Sequence, residues 1–177
     1  GINEKNFLGK GINLNTNLEV SDDSIKGKFV YSKPNFNYTD NTLFTSINST
    51  TIDNLSVYGY KTSEFGFSIG TGFEQYENLI FRPEISTSFE TLTTDSTAST
   101  AMKKQEGNYK DIYFNYSLDY DLRNQRYKAS DGYRTVFYQE IPLLVTDGSE
   151  FVNQFEVTKY QSLPSSMIAK LGFYGKA

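Results

Sequence analysis

The chain has 177 residues, with 14 Phe and 14 Tyr against no Trp, Cys or His, a net charge of −4 and a mean hydropathy of −0.52. Without cysteine there is no disulfide scaffold and no thiolate chemistry; without histidine the commonest general base and the usual zinc ligand are gone. The acidic balance gives no basic face for nucleic acid, and no apolar run approaches the roughly 20 residues of a membrane helix, so any membrane-spanning structure must be made of strands.

Aromatic content of 16% in a chain that is polar on average suggests strands carrying apolar and polar residues in alternation, hence an all-β fold. The sequence opens Gly1-Ile2-Asn3 with no starting Met and no visible signal peptide, and reads as a segment of a longer precursor. The first alternation covers 11–20, with Ile12, Leu14, Thr16, Leu18 and Val20 on one face and Gly11, Asn13, Asn15, Asn17 and Glu19 on the other. Weaker strands follow at 25–33 and 42–51. Residues 64–74 set Phe65, Phe67, Ile69, Thr71 and Phe73 against Glu64, Gly66, Ser68, Gly70, Gly72 and Glu74. In 79–90, Leu79, Phe81, Ile85 and Phe89 oppose Arg82, Glu84, Ser86, Ser88 and Glu90, and Pro83 places the start of this strand near a rim. Residues 111–122 oppose Ile112, Phe114, Tyr116, Leu118, Tyr120 and Leu122 to Asp111, Tyr113, Asn115, Ser117, Asp119 and Asp121. Strands at 133–142, 152–162 and 166–176 complete an antiparallel meander of about nine, with no helix of any length competing.

The eight charged residues of the windows 64–74, 79–90 and 111–122 (Glu64, Glu74, Arg82, Glu84, Glu90, Asp111, Asp119 and Asp121) all lie opposite the large apolar side chains. A charge on the lipid side of a barrel costs roughly 2–4 kcal/mol at the bilayer midplane, although a soluble sheet also segregates charge. Length separates the two cases. Segments of about 10–12 residues exceed the usual 5–6 of globular sheets and match the 9–11 of a tilted crossing. Connections 34–41, 75–78 and 163–165 are compact, while 52–60 and 91–109 are long and polar, the sidedness of an outer-membrane barrel. Two break the rule: 21–24 is short where a long loop is due, and 123–131 is long. Aromatics gather near the expected strand ends (Phe36, Tyr38, Tyr58, Tyr60, Phe73, Tyr76, Tyr109, Tyr120, Tyr127, Tyr133 and Tyr160), as interfacial girdles would; the alternative is the aromatic core of a soluble sandwich.

Three stretches carry a family resemblance. Glu4-Lys5-Asn6-Phe7-Leu8-Gly9-Lys10-Gly11 resembles the entry to the first barrel strand of BamA-type outer-membrane protein assembly factors. Phe29-Val30-Tyr31-Ser32-Lys33-Pro34-Asn35-Phe36 resembles that family's second strand. Tyr120-Asp121-Leu122-Arg123-Asn124, followed by Asp131-Gly132, is similar to its Tyr-Asp-x-Arg-Asp motif, which carries a Pro three residues before the Gly. Here Asn124 replaces the Asp and Ala129 stands where Pro is common. The resemblance implies a barrel of about sixteen strands in the bacterial outer membrane, of which residues 1–177 form the first part. Periplasmic domains would precede it. Closing strands and an inward-folded loop with a Val-Arg-Gly-(Phe/Tyr) signature, absent from this sequence, would follow.

The function so implied is insertion of other β-barrel proteins, without catalysis, cofactor or metal; the partners implied are outer-membrane lipid, unfolded client barrels and assembly-complex lipoproteins. An unpaired strand edge templates pairing with another chain, and in lipid its bare N–H and C=O groups are costly. Gly9, Gly11, Ile12, Asn13, Leu14, Asn15, Thr16 and Asn17 are the candidate client edge, acting through backbone; the plain alternative is an ordinary first wall strand. Tyr120, Asp121, Arg123 and Gly132 form the motif, with Asp121 and Arg123 as i, i+2 neighbours on the inner face and a structural ion pair as the simplest role. Asp111, Asp119 and Asp121 lack a calcium-loop spacing. A TamA-like or two-partner-secretion translocator and a passive porin-like channel share the pattern. A soluble glycan-binding sandwich stands further off.

Overall fold

The computed structural model describes residues 1–143 and 151–177, and these build a single antiparallel sheet of ten strands in sequence order. The strands are β1 (Ile2–Phe7), β2 (Ile12–Val20), β3 (Ser24–Lys33), β4 (Thr42–Asn54), β5 (Tyr60–Tyr76), β6 (Leu79–Thr94), β7 (Gly107–Asp121), β8 (Gly132–Pro142), β9 (Val152–Ser162) and β10 (Ile168–Lys176). The meander is open, with β1 and β10 as its outer strands. Ten strands replace the nine expected. The extra one, β1, has the sequence Ile-Asn-Glu-Lys-Asn-Phe, which shows no apolar alternation, and its ladder shifts register between Glu4 and Phe7. The stretch resembling a first-strand entry therefore ends β1 and turns into β2, and the one resembling a second strand ends β3.

Register fixes the two faces, because residues directly across a ladder point the same way. One continuous row runs Thr45, Ile69, Ile85, Phe114 and Ile141; the row beside it on the other face runs Ser46, Ser68, Ser86, Tyr113 and Pro142. All eight charges of the alternating windows fall on the second face.

Burial runs opposite to that of a soluble domain. Phe65, Phe67, Ile69, Ile85 and Phe89 are exposed, whereas Ser68, Asn115, Asp119 and Thr158 are buried at 7%, 6%, 5% and 8% exposure. The few buried apolar residues, Leu92, Ala98 and Ala129, lie at the last strand turns or in loops. Among the described residues no second layer covers the Phe-rich face as the core of a soluble sandwich would. Cohesion on that face comes from ring-on-ring contacts along it: Phe73 meets Phe81 edge-on at 5.7 Å, Phe81 meets Tyr116 at 5.9 Å, and Tyr116 meets Phe137 at 6.0 Å. Such pairs contribute about 0.5–1.5 kcal/mol each beyond area burial.

The strands extend further than the alternation indicated. Within 52–60, residues 52–54 and 60 are strand, with a single turn of helix α1 (Leu55–Tyr58) ending at Gly59 between them, and of 91–109 only 95–106 is loop. That loop holds α2 (Thr100–Lys104), whose N-cap Ser99 accepts a hydrogen bond from Met102 N at 3.2 Å. The sidedness weakens: the 55–59 connection is shorter than 34–41 on the other side, and the short 21–23 turn and the long 122–131 loop depart from it as well.

Two other expectations shift. Pro83 lies fifth in β6, paired with Tyr116 of β7, and the β5–β6 register is interrupted beside it between Gly70↔Glu84 and Phe73↔Phe81. The ladder tolerates the missing N–H there by leaving a gap and resuming in phase. Among the girdle aromatics, Tyr60, Tyr109 and Tyr160 face inward: Tyr60 pairs with Asn54, Tyr109 with Glu90 and Tyr160 with Gly132. Tyr120 and Tyr133 remain on the apolar face, 6.2 Å apart.

Candidate functional site

Two regions hold the residues singled out by sequence. The first is the β1–β2 hairpin. Gly9 and Gly11 lie in its turn, not in a strand, with φ of 68° and 67°; Gly11 N donates to Asn6 Oδ1 at 2.6 Å. Residues 12–17 begin β2, and the structure corrects the idea that they are a free edge. On one side Ile2, Asn3, Glu4 and Phe7 pair with Thr16, Asn15, Leu14 and Ile12; on the other, Asn13 through Val20 pair without a break to Ser32 through Ile25. The two ladders are unequal. β2–β3 is continuous, while β1–β2 is short and interrupted.

The second region is the inner wall where β6, β7 and β8 approach the 122–131 loop. Asp121 binds Arg123 as a bidentate pair, accepting from Nε at 2.8 Å and from Nη2 at 2.7 Å, and also accepts Arg123 N at 3.2 Å. This is the i, i+2 pair expected from sequence. Tyr120, its motif neighbour, points to the apolar face and takes no part.

Gly132 has φ +92°, and a Cβ there would lie 2.2 Å from Leu122 O and 2.9 Å from Arg123 Cα. Only glycine lets β8 begin against the end of β7. Asn124 closes the loop. Its Oδ1 accepts from Ser130 N at 3.1 Å and Asp131 N at 3.2 Å, and its Nδ2 donates to Ser130 Oγ at 2.8 Å. An Asp would supply the acceptors, and the amide adds a donor. Ala129, in the position often held by Pro, is buried at 7% exposure.

Sequence reading missed the centre of this cluster. Asp119 accepts from Arg134 Nε and Nη2 at 2.8 and 2.7 Å and from Arg82 Nη1 at 3.2 Å, so one carboxylate ties three adjacent strands together. Alternation placed Asp119 and Arg82 on one face; the register that joins them was not readable. Both oxygens of Asp119 and of Asp121 accept from guanidinium groups. Further along the same face of β5 to β8 the charges are all acidic: Glu64, Glu84, Glu90, Asp111 and Glu140.

A long-stranded antiparallel wall, polar on its enclosed face and apolar on its bare one, is the construction of a transmembrane β-barrel. The Omp85 superfamily domain matches residues 6–173, and the chain belongs to that superfamily. In fold it is similar to the crystal structure of BamA from Haemophilus ducreyi lacking POTRA domains 1–3, with a TM-score of 0.72 and 20% sequence identity. The match covers 98% of this chain and 37% of that one, so the sheet is a partial barrel of the BamA type. Comparison with curated protein sequences gives no match.

Proposed function

We propose that residues 1–177 form the first part of an outer-membrane barrel that inserts or translocates other β-barrel polypeptides without catalysis. Its clients would be unfolded barrel chains, its surroundings outer-membrane lipid, and its further partners assembly lipoproteins. The observation that carries the mechanism is the inequality of the two ladders flanking β2. When β1 parts from β2, the backbone of residues 12–17 is left open while β3 holds the strand straight from behind. Bare N–H and C=O groups in lipid each cost several kcal/mol, so an incoming strand gains by pairing there. Recognition through backbone explains how clients of unrelated sequence would be accepted. On this reading the Asp119 and Asp121 clusters, which join β6, β7 and β8, hold the wall rigid away from the hairpin while the hairpin works.

Paired cysteines test this in the full-length protein, since this chain contributes no others. Asn3→Cys with Asn15→Cys spans directly opposed positions of β1 and β2. Oxidation should lower the amount of other barrel proteins in the outer membrane, and reductant should restore it. A control tether of Asn17→Cys with Lys28→Cys, across β2–β3, should have no effect. Equal client levels with the β1–β2 tether open or closed would exclude the mechanism. A freely conducting pore with unchanged clients would favour a passive channel instead.

A further inference from the structure

We propose that the paired turns at 8–11 and 34–41 form a binding site for the headgroup of an anionic phospholipid, with Lys10 and Lys33 as its cations. Both turns lie at the same end of the wall, and residues Lys10, Gly11 and Lys33 through Tyr38 line one hollow of about 510 Å³ between them. Large apolar side chains of the two turns are exposed: Leu8 is 72% exposed, Phe36 41% and Tyr38 102%.

The backbone shows that this display is built in. Leu8 has φ 54° and Tyr38 φ 62°, left-handed conformations that glycine or asparagine adopts with least strain. Gly9, Asn35 and Asn37 take the same conformation with less strain, and Lys128, Ser165 and Ser166 share it in other turns. At Leu8 and Tyr38 the two neighbouring turns project an aliphatic group and a phenol outward. Amphipathic rings beside lysines are the composition that settles at a membrane surface.

The site is continuous with the lipid-facing wall. Lys33 pairs with Leu43 and shares the outer face with Phe29 and Tyr31, and its Nζ lies 5.9 Å from the Phe36 ring. Asp40, in the 34–41 turn, lines with Glu74 and Glu77 a different hollow, beside Phe73 and Tyr76, and Glu4 is the acid that shares the outer face with Lys33 near this end. A headgroup phosphate seated between Lys10 and Lys33, with its acyl chains running along Tyr31 and Phe29, satisfies both charge and apolar surface.

This inference rests on the membrane reading above, and the test keeps the two apart. The full-length protein carrying a fluorophore at Asn37→Cys is placed in bilayers containing brominated phosphatidylglycerol or brominated phosphatidylcholine. A lysine near an anionic headgroup contributes about 1 kcal/mol, about fivefold each, so phosphatidylglycerol should quench at an order of magnitude lower mole fraction. Lys10→Gln with Lys33→Gln should abolish that preference, and 1 M salt should reduce it. Lys26→Gln with Lys28→Gln, on the enclosed face, should leave it intact, and Leu8→Ser with Tyr38→Ser should weaken quenching by both lipids. Equal quenching by the two lipids in the unsubstituted protein, or the same preference in the Lys10/Lys33 variant, overturns the proposal while leaving the barrel in place. Quenching by neither lipid refutes the membrane reading itself, and this site with it.

Discussion

Thr87 and Ser88 are adjacent in β6 and occupy opposite faces at one height, so a lysine at each measures the solvent on that side. Thr87 pairs with Phe67 and Ile112 and stands between Ile85 and Phe89 on the apolar face; its Oγ1 has no hydrogen-bond partner. A cation there meets hydrocarbon and should cost about 2–4 kcal/mol, less if the long stem reaches the interface. Ser88 pairs with Gly66 and Asp111 and borders an inner hollow of about 200 Å³ that also holds Glu64 and Glu84. A lysine enters that space beside carboxylates and should change stability by no more than about 1 kcal/mol. Urea unfolding of the full-length protein in lipid vesicles, followed by gel mobility without heating, should separate the two variants by about 1–4 kcal/mol, at least roughly fivefold in the unfolding constant. If Ser88→Lys proves as damaging as Thr87→Lys, or more so, the faces have been assigned the wrong way round and the membrane argument fails with them.

Asp119→Ala should destabilise by about 2–4 kcal/mol in the same assay, since it strands Arg82 and Arg134; those guanidinium groups are 38% and 39% exposed, which keeps the loss below that of a fully buried pair. Gly132→Ala should be worse than a typical surface change, at about 3 kcal/mol or more, because the new Cβ meets backbone and not a movable side chain; native yield on refolding reads it. In the 95–106 loop, Asp95 accepts Thr97 Oγ1 at 2.6 Å and Thr97 N at 2.7 Å, and these bonds hold its carboxyl below the ordinary carboxylate range. The order they give is present above that range and is lost as pH falls through the depressed value, below about pH 4. Amide-exchange protection at Thr97 should drop in that window and be insensitive to pH in Asp95→Asn.

The faces of the central strands were legible in the sequence because an apolar residue at every second position leaves only one way to orient Phe65, Phe67 and Ile69. Where strands rise past the apolar band the signal fades. Asp53, Lys61 and Ser63 lie on the outer face yet fall outside the strands that alternation marks, since their surroundings are no longer hydrocarbon. β1 was invisible for a related reason: Glu4 shares a face with Ile2, and a register shift breaks the period. The Asp121–Arg123 pair needed only i, i+2 geometry. The Asp119 cluster needed the alignment of three strands, and the client edge needed the strand that precedes it. Both depend on long-range pairing, which local pattern does not encode. The conformations at Leu8 and Tyr38 are equally silent, because nothing in either residue type announces a left-handed backbone.

The near absence of apolar interior in this wall bears on how the protein responds to temperature. Heat capacity rises on unfolding mainly because greasy surface becomes wetted. Here Phe65, Phe67, Ile69, Ile85 and Phe89 are already outside, and the groups that unfolding would newly hydrate, such as Ser68, Asn115, Asp119 and Thr158, push the change the other way. Leaving the bilayer, not opening the fold, would carry most of the calorimetric signal. A stability curve recorded while the chain stays in lipid should therefore be flat, with little of the curvature that brings cold denaturation to water-soluble domains.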